Sequence, residues 1–440
     1  MTAGRGDSAL ERQARVLLLA ATDAVVEPLS IGLDALGWRS ITARSSGAAA
    51  AALADGQIEA VVIDTRGAPA DLAAVTLREA AAPRRIAVVG VGDGAIEGLD
   101  SRMADPVHPA QLALRLEQLI RAAVAEEEFD LRKQTFADHG EADLVIEESA
   151  SPPRILVAGQ ADRRFLALSN ALSERGAETV AAPTPYTAFD FLHESAFDAA
   201  VLWGGADHAP ALSIAAGMKR NTRLYHIPLV LYLRQQGEIN LGEIYNKGMA
   251  DVASADTPED ETADRIMALA RTYRRHQAIR RALESVRGSS LTDAATGLVT
   301  REVFAAHLAR VAEGARARRR ALSACILRVA PTEAVNQARQ DGWLDRAMPQ
   351  IGSMLSRLVR AEDTAARLAP EVFALALPAT PGPAARLAAQ RIAAVIGCTA
   401  FDAGQDRPPF VVEFEIGCAD LRPGEDPADL LERASRALGR

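Results

Sequence analysis

Two short segments near the end of this 440-residue chain carry side chains that could bind a ligand. Arg360-Ala361-Glu362-Asp363 places a guanidinium three residues before a carboxylate, and five residues separate it from Ala369-Pro370-Glu371-Val372-Phe373. A guanidinium can donate paired hydrogen bonds to a phosphate and stack on a flat ring, whereas a carboxylate accepts hydrogen bonds from N–H groups. The Arg360/Asp363 pair is therefore either a site for such a ligand or a surface salt bridge.

The elements around this pair favour a ligand site. The apolar residues before it recur at helical spacing, and the apolar run Phe373 to Leu377 after it predicts a strand. The helical positions are Ile351, Met354, Leu355 and Leu358. The pair is thus expected in the turn between a helix and a strand.

Composition limits the class of protein. A chain of 440 residues usually divides into two to four domains. Hydrophobic residues make up 49% and aromatics only 4%, which favours an α/β fold over an all-β sandwich. Because 49 Lys and Arg face 58 Asp and Glu, for a net charge of -9, we expect no general attraction to nucleic acid or anionic lipid.

Cysteines and hydropathy predict the compartment. Cys325, Cys398 and Cys418 lack paired spacing and are expected to be packing residues in a reducing compartment rather than zinc ligands. Residues 1–13 contain no apolar signal-peptide core, and no apolar run approaches the ~18 residues of a membrane span. We therefore expect a cytoplasmic protein with no membrane insertion and no required metal.

Short apolar runs alternate with helical stretches in two successive sets, which predicts two tandem copies of one parallel α/β fold. The runs are 15–20, 59–64 and 85–90, then 154–158, 197–203 and 227–232. A long helix with a basic stripe, expected to face solvent, follows the second set. The stripe comprises Arg271, Arg274, Arg275, Arg280 and Arg281. The predicted divisions are a tail 1–13, a first domain with an extended last helix 14–134, a linker 135–152, a second domain 153–262, a helical linker 263–290 and a third domain 291–440.

The third domain resembles the diguanylate cyclase (GGDEF) family. Residues 293–301, Asp-Ala-Ala-Thr-Gly-Leu-Val-Thr-Arg, are similar to the family's Asp-x-Leu-Thr-Gly-Leu-x-Asn-Arg, and an Arg-x-x-Asp stands five residues before the signature as in the family. Both earlier domains resemble response-regulator receiver domains, and the whole order resembles the PleD group of alphaproteobacterial cyclases. The resemblance implies two tandem flavodoxin-like receiver domains followed by a degenerate GGDEF domain of nucleotidyl-cyclase-like α/β fold.

The positions that carry catalysis in this family are substituted. Arg328 stands where the first metal-binding aspartate is expected, and Ala330 stands at the second. A guanidinium supplies no lone pair to Mg²⁺. Ala369-Pro370 replaces the two glycines of the signature, and proline lacks an N–H donor for phosphate. We therefore expect no catalytic residues, no bound metal and no cyclase activity.

The resemblance implies cyclic di-GMP as the ligand of Arg360 and Asp363. Arg391 occupies the place of a family arginine that joins this ligand, and Arg357, one turn before Arg360, could add positive charge. Asp363 could accept from the N1–H and N2–H₂ edge of guanine, and Arg360 could bind O6/N7 or a phosphate.

Asn336 and Asp345 fall at positions that hold guanine in family members. They are either residual guanine ligands or ordinary polar surface residues.

The receiver resemblance makes Asp64 the candidate phosphoacceptor of the first domain. The acidic pair expected before it is replaced by Ala21-Thr22-Asp23, so Asp64 is either an acceptor or a carboxylate that caps a strand end. In the second domain Trp203 stands at the acceptor position, which excludes aspartyl phosphorylation. Such a receiver serves as a dimer adaptor in the family, so a homodimer through the receiver domains is implied.

The function implied is that of a non-catalytic cyclic di-GMP effector. By resemblance it would localise to a cell pole and help deliver the cell-cycle regulator CtrA to the ClpXP protease through an accessory adaptor. Two alternatives stay open: a weak or partner-complemented diguanylate cyclase, and a scaffold that needs no ligand.

Overall fold

In the part of the chain that the computed structural model describes, three sheets of five strands each form three α/β units. The described residues are 15–67, 73–103, 107–140, 144–204, 208–234, 244, 248–404 and 407–439. None of the helices within these ranges is long and apolar enough to cross a membrane.

The first unit is a parallel sheet with the strand order β2-β1-β3-β4-β5. Its strands are β1 (Arg15–Leu19), β2 (Arg39–Ala43), β3 (Ile58–Asp64), β4 (Ala87–Val91) and β5 (Ser101–Met103). Its helices are α1 (Asp23–Ala35), α2 (Ser46–Asp55), α3 (Ala74–Ala81) and α4 (Pro109–Asp138). The central strands are continuous apolar runs because helices cover both faces of the sheet.

The second unit repeats this topology, with the order β7-β6-β8-β9-β10 and parallel pairing throughout. Its strands are β6 (Arg154–Ala158), β7 (Glu178–Ala182), β8 (Ala199–Gly204), β9 (Leu229–Leu233) and β10 (Asp251–Ser254). Its described helices are α5 (Arg163–Glu174), α6 (Pro185–Glu194), α7 (Ala209–Arg220) and α8 (Glu259–Glu284). Both units have the strand order of doubly wound, flavodoxin-like sheets. The predicted domain boundary at residue 262 falls inside α8. The second unit extends beyond it, since Ile266 and Leu269 still pack against the sheet of this unit.

The third unit is a mixed sheet with the order β11-β13-β14-β12-β15. Its strands are β11 (Val299–Thr300), β12 (Leu322–Val329), β13 (Thr364–Ala369), β14 (Val372–Pro378) and β15 (Phe414–Asp420). Its helices are α9 (Arg301–Arg318), α10 (Glu333–Gln340), α11 (Trp343–Leu358), α12 (Gly382–Gly397) and α13 (Pro427–Arg436). The apolar side of α11 places Ile351 and Leu355 against Phe373 of β14, which sets the turn after α11 at the edge of this core.

Helices α4 and α8 connect the three units through a shared apolar cluster. Phe129 and Phe136 of α4 pack there with Ile279 of α8 and with Val303 and Ala361 of the third unit. Since Ala361 belongs to the Arg-x-x-Asp turn, that turn lies where all three units meet.

Candidate functional site

The Arg-x-x-Asp turn joins α11 to β13 and is closed by its own aspartate. The backbone N–H of Arg360 donates to Asp363 Oδ2 at 3.0 Å, and the N–H of Asp363 donates to the Arg360 carbonyl at 3.3 Å. Asp363 is only 6% exposed, and Arg360 is half-buried. An exposed salt bridge, the alternative considered for this pair, does not describe a turn buried in this way.

Arginines from outside the third unit hold the backbone of this turn. Arg132 of α4 donates from Nη2 to the carbonyls of Ala361, Glu362 and Asp363 at 3.4, 3.4 and 3.2 Å. Arg280 of α8 donates to the carbonyl of Arg357 at 3.1 Å and also to that of Val359. These carbonyls lie at or just beyond the end of α11, where helical partners are lacking.

The pKa values of the two carboxylates are shifted in opposite directions, although burial acts in the same direction on both. For Asp363, burial and then the neighbouring Glu362 raise the pKa to about 6 against the opposing effect of Arg360. For Glu362, burial alone would raise the pKa, but Arg121 and Arg360 together lower it. Arg121 Nη1 stands 3.4 Å from Glu362 Oε1. Asp363 Oδ1 is buried and has no hydrogen-bond partner among the described residues, so it remains able to accept one.

A cavity of about 300 Å³, here called the junction cavity, opens between the three units beside this turn. Arg121 lines it from the first unit, Lys219 and Tyr225 from the second, and Arg360, Asp363 and Arg391 from the third. The Arg391 guanidinium lies 5.4 Å from the Tyr225 ring centroid, and Lys219 Nζ lies 5.7 Å from it. Burial and the nearby Arg391 lower the pKa of Lys219 to about 8, which leaves it mostly protonated at neutral pH.

The structure brings three of the four predicted ligand residues together and separates the fourth. Arg360, Asp363 and Arg391 line the junction cavity. The side chain of Arg357 is exposed, and its backbone carbonyl accepts from His226 Nε2 at 2.8 Å.

Sequence reasoning missed several residues that complete or support the site. They are Arg121 and Arg132 on α4, Lys219 and Tyr225 in the second unit, and Arg280 on α8. Only Arg280 carried a signal, as part of the basic stripe. The solvent-facing interpretation of that stripe is wrong for Arg280 and for Arg275, which pairs with Glu126 at 2.5 Å and Glu148 at 2.9 Å.

Ion pairs within the third unit engage residues at the positions where the family resemblance places catalysis, here called the cleft. Arg328 Nε lies 2.6 Å from Glu415 Oε2 on the adjacent strand. Arg339 donates to both carboxylate oxygens of Glu371, each at 2.6 Å. Among the described residues, no group of three or more His, Cys, Asp or Glu side chains could hold a metal ion.

The two candidate guanine ligands have different surroundings. Asn336 Nδ2 donates to the Pro331 carbonyl at 3.2 Å, and Asn336 Oδ1 accepts from Arg339. Asp345 is exposed in the first turn of α11. The hydrogen-bonding groups of Asn336 are thus already engaged within the domain.

Asp64 lies at the end of β3 with its carboxylate paired to Arg66 Nε at 2.9 Å. Asp23, in the region where an acidic pair was sought, begins α1 and pairs with Arg44 at 2.6 Å instead. At the corresponding place in the second unit, Trp203 stacks on Tyr232 with centroids 4.0 Å apart. An aromatic pair thus fills the end of that sheet.

Comparison with known proteins assigns the third unit. The family model described as diguanylate cyclase, GGDEF domain, matches residues 290–440. None of the curated proteins compared with the chain matches it.

Solved structures resemble parts of the chain. The GGDEF domain of FimX from Pseudomonas aeruginosa is 20% identical, with 34% of this chain and 91% of that chain covered and a TM-score of 0.31. The GGDEF domain of DgcB from Caulobacter crescentus, solved in complex with c-di-GMP, is 22% identical, with coverages of 34% and 87% and a TM-score of 0.31. A signal receiver domain of a histidine kinase from Syntrophus aciditrophicus is 17% identical, with coverages of 27% and 90% and a TM-score of 0.25.

Proposed function

Residues 290–440 form a GGDEF domain, and we propose that this domain binds cyclic di-GMP without synthesising it, as the sensor of a multidomain effector. The observation that carries the proposal is the junction cavity, where Arg121, Lys219, Arg360 and Arg391 line the same space as Asp363, whose buried Oδ1 has no hydrogen-bond partner among the described residues.

The chemistry of the cavity suits a cyclic dinucleotide. Asp363 Oδ1 is buried and has no partner among the described residues, so the N–H edge of a guanine that reached it would satisfy it. Arg360 and Arg391 can each bind a phosphate through two N–H groups or stack on a purine. Tyr225 offers an aromatic ring from another unit, and a base stacked on such a ring gains roughly 1–3 kcal/mol. A ligand bound here would tie the three units together.

We propose that the domain has no cyclase activity. A guanidinium at position 328, already paired with Glu415, would repel Mg²⁺ and offers it no lone pair. Pro370 provides no N–H to a phosphate. This proposal extends to the other units: we infer that both are receiver domains, that Asp64 is a vestige held by Arg66, and that the receivers support a homodimer.

The cellular role is proposed from resemblance alone. The motifs of the chain resemble those of PopA, the non-catalytic paralogue of PleD, so we propose recruitment to a cell pole and ligand-dependent delivery of CtrA to ClpXP through an adaptor. A fluorescent fusion tests this: the wild type should form polar foci, and the Arg360→Ala variant should be diffuse at equal abundance. Equal foci in both would contradict ligand-dependent recruitment.

Calorimetric titration of cyclic di-GMP tests the binding site. The wild type should bind at micromolar concentration or tighter, and Arg360→Ala should lose that binding. Arg357→Ala is the matched control, because the exposed Arg357 side chain can be removed while its carbonyl keeps its contacts. GTP with Mg²⁺ serves as the control injection. Absence of binding to the wild type would overturn the proposal.

A second candidate, a scaffold that needs no ligand, is favoured by one observation. Arg132 and Arg280 already hold the turn's carbonyls, and the turn closes on itself through Asp363. In that case Arg360→Ala would leave the domain arrangement and partner affinity unchanged. Small-angle scattering with and without cyclic di-GMP distinguishes the two candidates.

A further inference from the structure

A second cavity, of about 840 Å³, lies on another side of the helices that hold the Arg-x-x-Asp turn. Its walls are the 82–87 loop of the first unit, the middle of α4, residues 148–153 of the linker and the middle of α8. We call it the helix cavity. Among the described residues, none lines both this cavity and the junction cavity. Its volume falls within the ~300–1,000 Å³ typical of small-molecule sites.

The apolar part of the wall is aliphatic. It consists of Ala82, Pro83, Ile86, Ala87, Leu119, Ala122, Ala123 and Pro153. Among the described lining residues there is no Phe, Tyr or Trp. Such a wall suits an alkyl chain better than a nucleobase, since bases in protein sites usually stack on aromatic rings.

The polar part of the wall carries an excess of positive charge. Six arginines line the cavity together with only three acids, Asp100, Glu126 and Glu148. All three acids are already paired: Asp100 with Arg78 at 2.8 Å, and the two glutamates with Arg275. A further lining arginine, Arg85, pairs with Asp130 at 2.8 Å outside the cavity. Arg271 is exposed at this cavity, so an acidic group of a ligand would meet net positive charge there.

Two buried nitrogen atoms of this wall lack partners. Arg84 is 7% exposed, and its Nε has no hydrogen-bond partner among the described residues. His276 Nε2, on the α8 wall, is likewise buried without a partner there. Buried polar atoms in native proteins are nearly always satisfied by protein, water or ligand, so the wall of this cavity is short of polar partners at these two covered atoms.

We propose that the helix cavity binds an aliphatic organic anion, an alkyl chain that ends in a carboxylate or phosphate. The chain would lie along the alanine-rich wall of α4. The acidic head would pair with the guanidinium of Arg271, which is exposed at the cavity, and would be attracted by the other arginines of the lining. The site is independent of the cyclic di-GMP site and does not rest on it.

The test uses dodecanoate, kept below its micellar concentration, titrated calorimetrically into the full chain. We expect saturable binding of one molecule per chain. Dodecyl phosphate should bind comparably, and dodecanol, which has the same chain without the charge, at least tenfold more weakly. Ala122→Trp fills the cavity and should weaken dodecanoate binding at least tenfold. Ala137→Trp, on the exposed end of the same helix, should leave it unchanged.

Because Ala122→Trp could perturb packing, its circular dichroism and elution volume are compared with those of the wild type. Arg271→Glu alters only an exposed side chain and should weaken dodecanoate binding three- to tenfold. Equal binding of dodecanol and dodecanoate would show an apolar surface only. That result would overturn the proposal. So would unaltered dodecanoate binding in the folded Ala122→Trp protein, or the absence of saturable binding to the wild type.

Discussion

Two turns of the GGDEF domain, 360–363 and 369–371, stand at opposite ends of β13 and are stabilised in different ways. The first is buried, with Glu362 2% and Asp363 6% exposed, and its partners Arg132 and Arg280 come from other parts of the chain. The second is at the surface, and its contacts come from within the domain, from Arg339 to Glu371 and from Arg367 to the Pro370 carbonyl.

Under the proposed function, this difference would explain how one site lost its chemistry while the other was retained. Exposed ion pairs such as Arg339 with Glu371 contribute only about 0–1 kcal/mol, so the residues of the cleft can change with little effect on stability. Buried charges are costly unless they stay paired. Removal of Arg121 would leave Glu362 without its arginine, and removal of Arg132 would leave three backbone carbonyls without their donor. The buried turn therefore depends on the packing of the other units against it.

The largest expected effect tests whether the junction cavity draws on the second unit. The double variant Lys219→Ala/Tyr225→Ala should weaken cyclic di-GMP binding by roughly 10- to 100-fold, because it removes a cation and an aromatic stacking surface. Calorimetry measures the dissociation constant. Tyr186→Ala, at an 85% exposed tyrosine of the same unit, is the control. Affinity within threefold of wild type in the double variant would confine the ligand to the GGDEF domain.

A second variant tests whether α4 supports the turn. Arg132→Met removes the donor to three buried carbonyls and should lower the free energy of unfolding by about 1–3 kcal/mol, with a loss of ligand affinity alongside. Denaturant unfolding gives the first quantity and calorimetry the second. Lys133→Met changes the half-exposed neighbour as a control. Equal stability of both variants would mean that the turn keeps its shape without α4.

The third prediction concerns pH and tests whether cyclic di-GMP binding depends on the charge of Asp363. Its pKa of about 6 means that the carboxylate loses its charge as the pH falls through 6, so cyclic di-GMP affinity should drop about tenfold between pH 7 and pH 5. Lys219, with a pKa of about 8, stays protonated in this window. Calorimetry at several pH values measures the slope, and Asp363→Asn should show a flat profile. A parallel slope in that variant would assign the titration elsewhere.

The raised pKa of Asp363 affects stability and ligand affinity in opposite directions: as the pH falls, affinity decreases and the free energy of unfolding increases. Because the folded-state pKa of Asp363 is raised from 3.8 to about 6, its contribution to the free energy of unfolding is full below pH 3.8 and is lost as the pH rises through 6. Unfolding measured from pH 4 to 7 should therefore show a smaller decline for Asp363→Asn than for the wild type.

The smallest expected effect is in the cleft. Arg328→Asp returns a carboxylate to the metal position but leaves Ala369-Pro370 and the Arg339–Glu371 pair in place. We expect no cyclic di-GMP from GTP and Mg²⁺, as measured by chromatography, and dinucleotide binding within threefold of wild type. Formation of any dinucleotide would show that a single substitution separates this domain from a cyclase.

Much of the architecture was predictable because it depends on local patterns. Continuous apolar runs such as 59–64 predicted buried parallel strands, and the sheets of the first two units have the same strand order. The Arg-x-x-Asp register placed Arg360 and Asp363 in the turn after α11. The role of Arg357 was harder to predict, because it lies in the last turn of α11, where backbone carbonyls without helical partners also form contacts. Its carbonyl, rather than its guanidinium, contacts the other units.

The sequence by itself determined the chemistry available at positions 328 and 370, since an arginine has no lone pair for a metal and a proline has no N–H in any fold. Only the tertiary structure decided what surrounds the Arg-x-x-Asp turn. Arg121, Tyr225 and Arg391 are distant in sequence and line one cavity only because α4 and α8 pack across the three units. Long-range packing of this kind leaves no local periodicity to read, and so the site's other residues were hidden until the units were assembled.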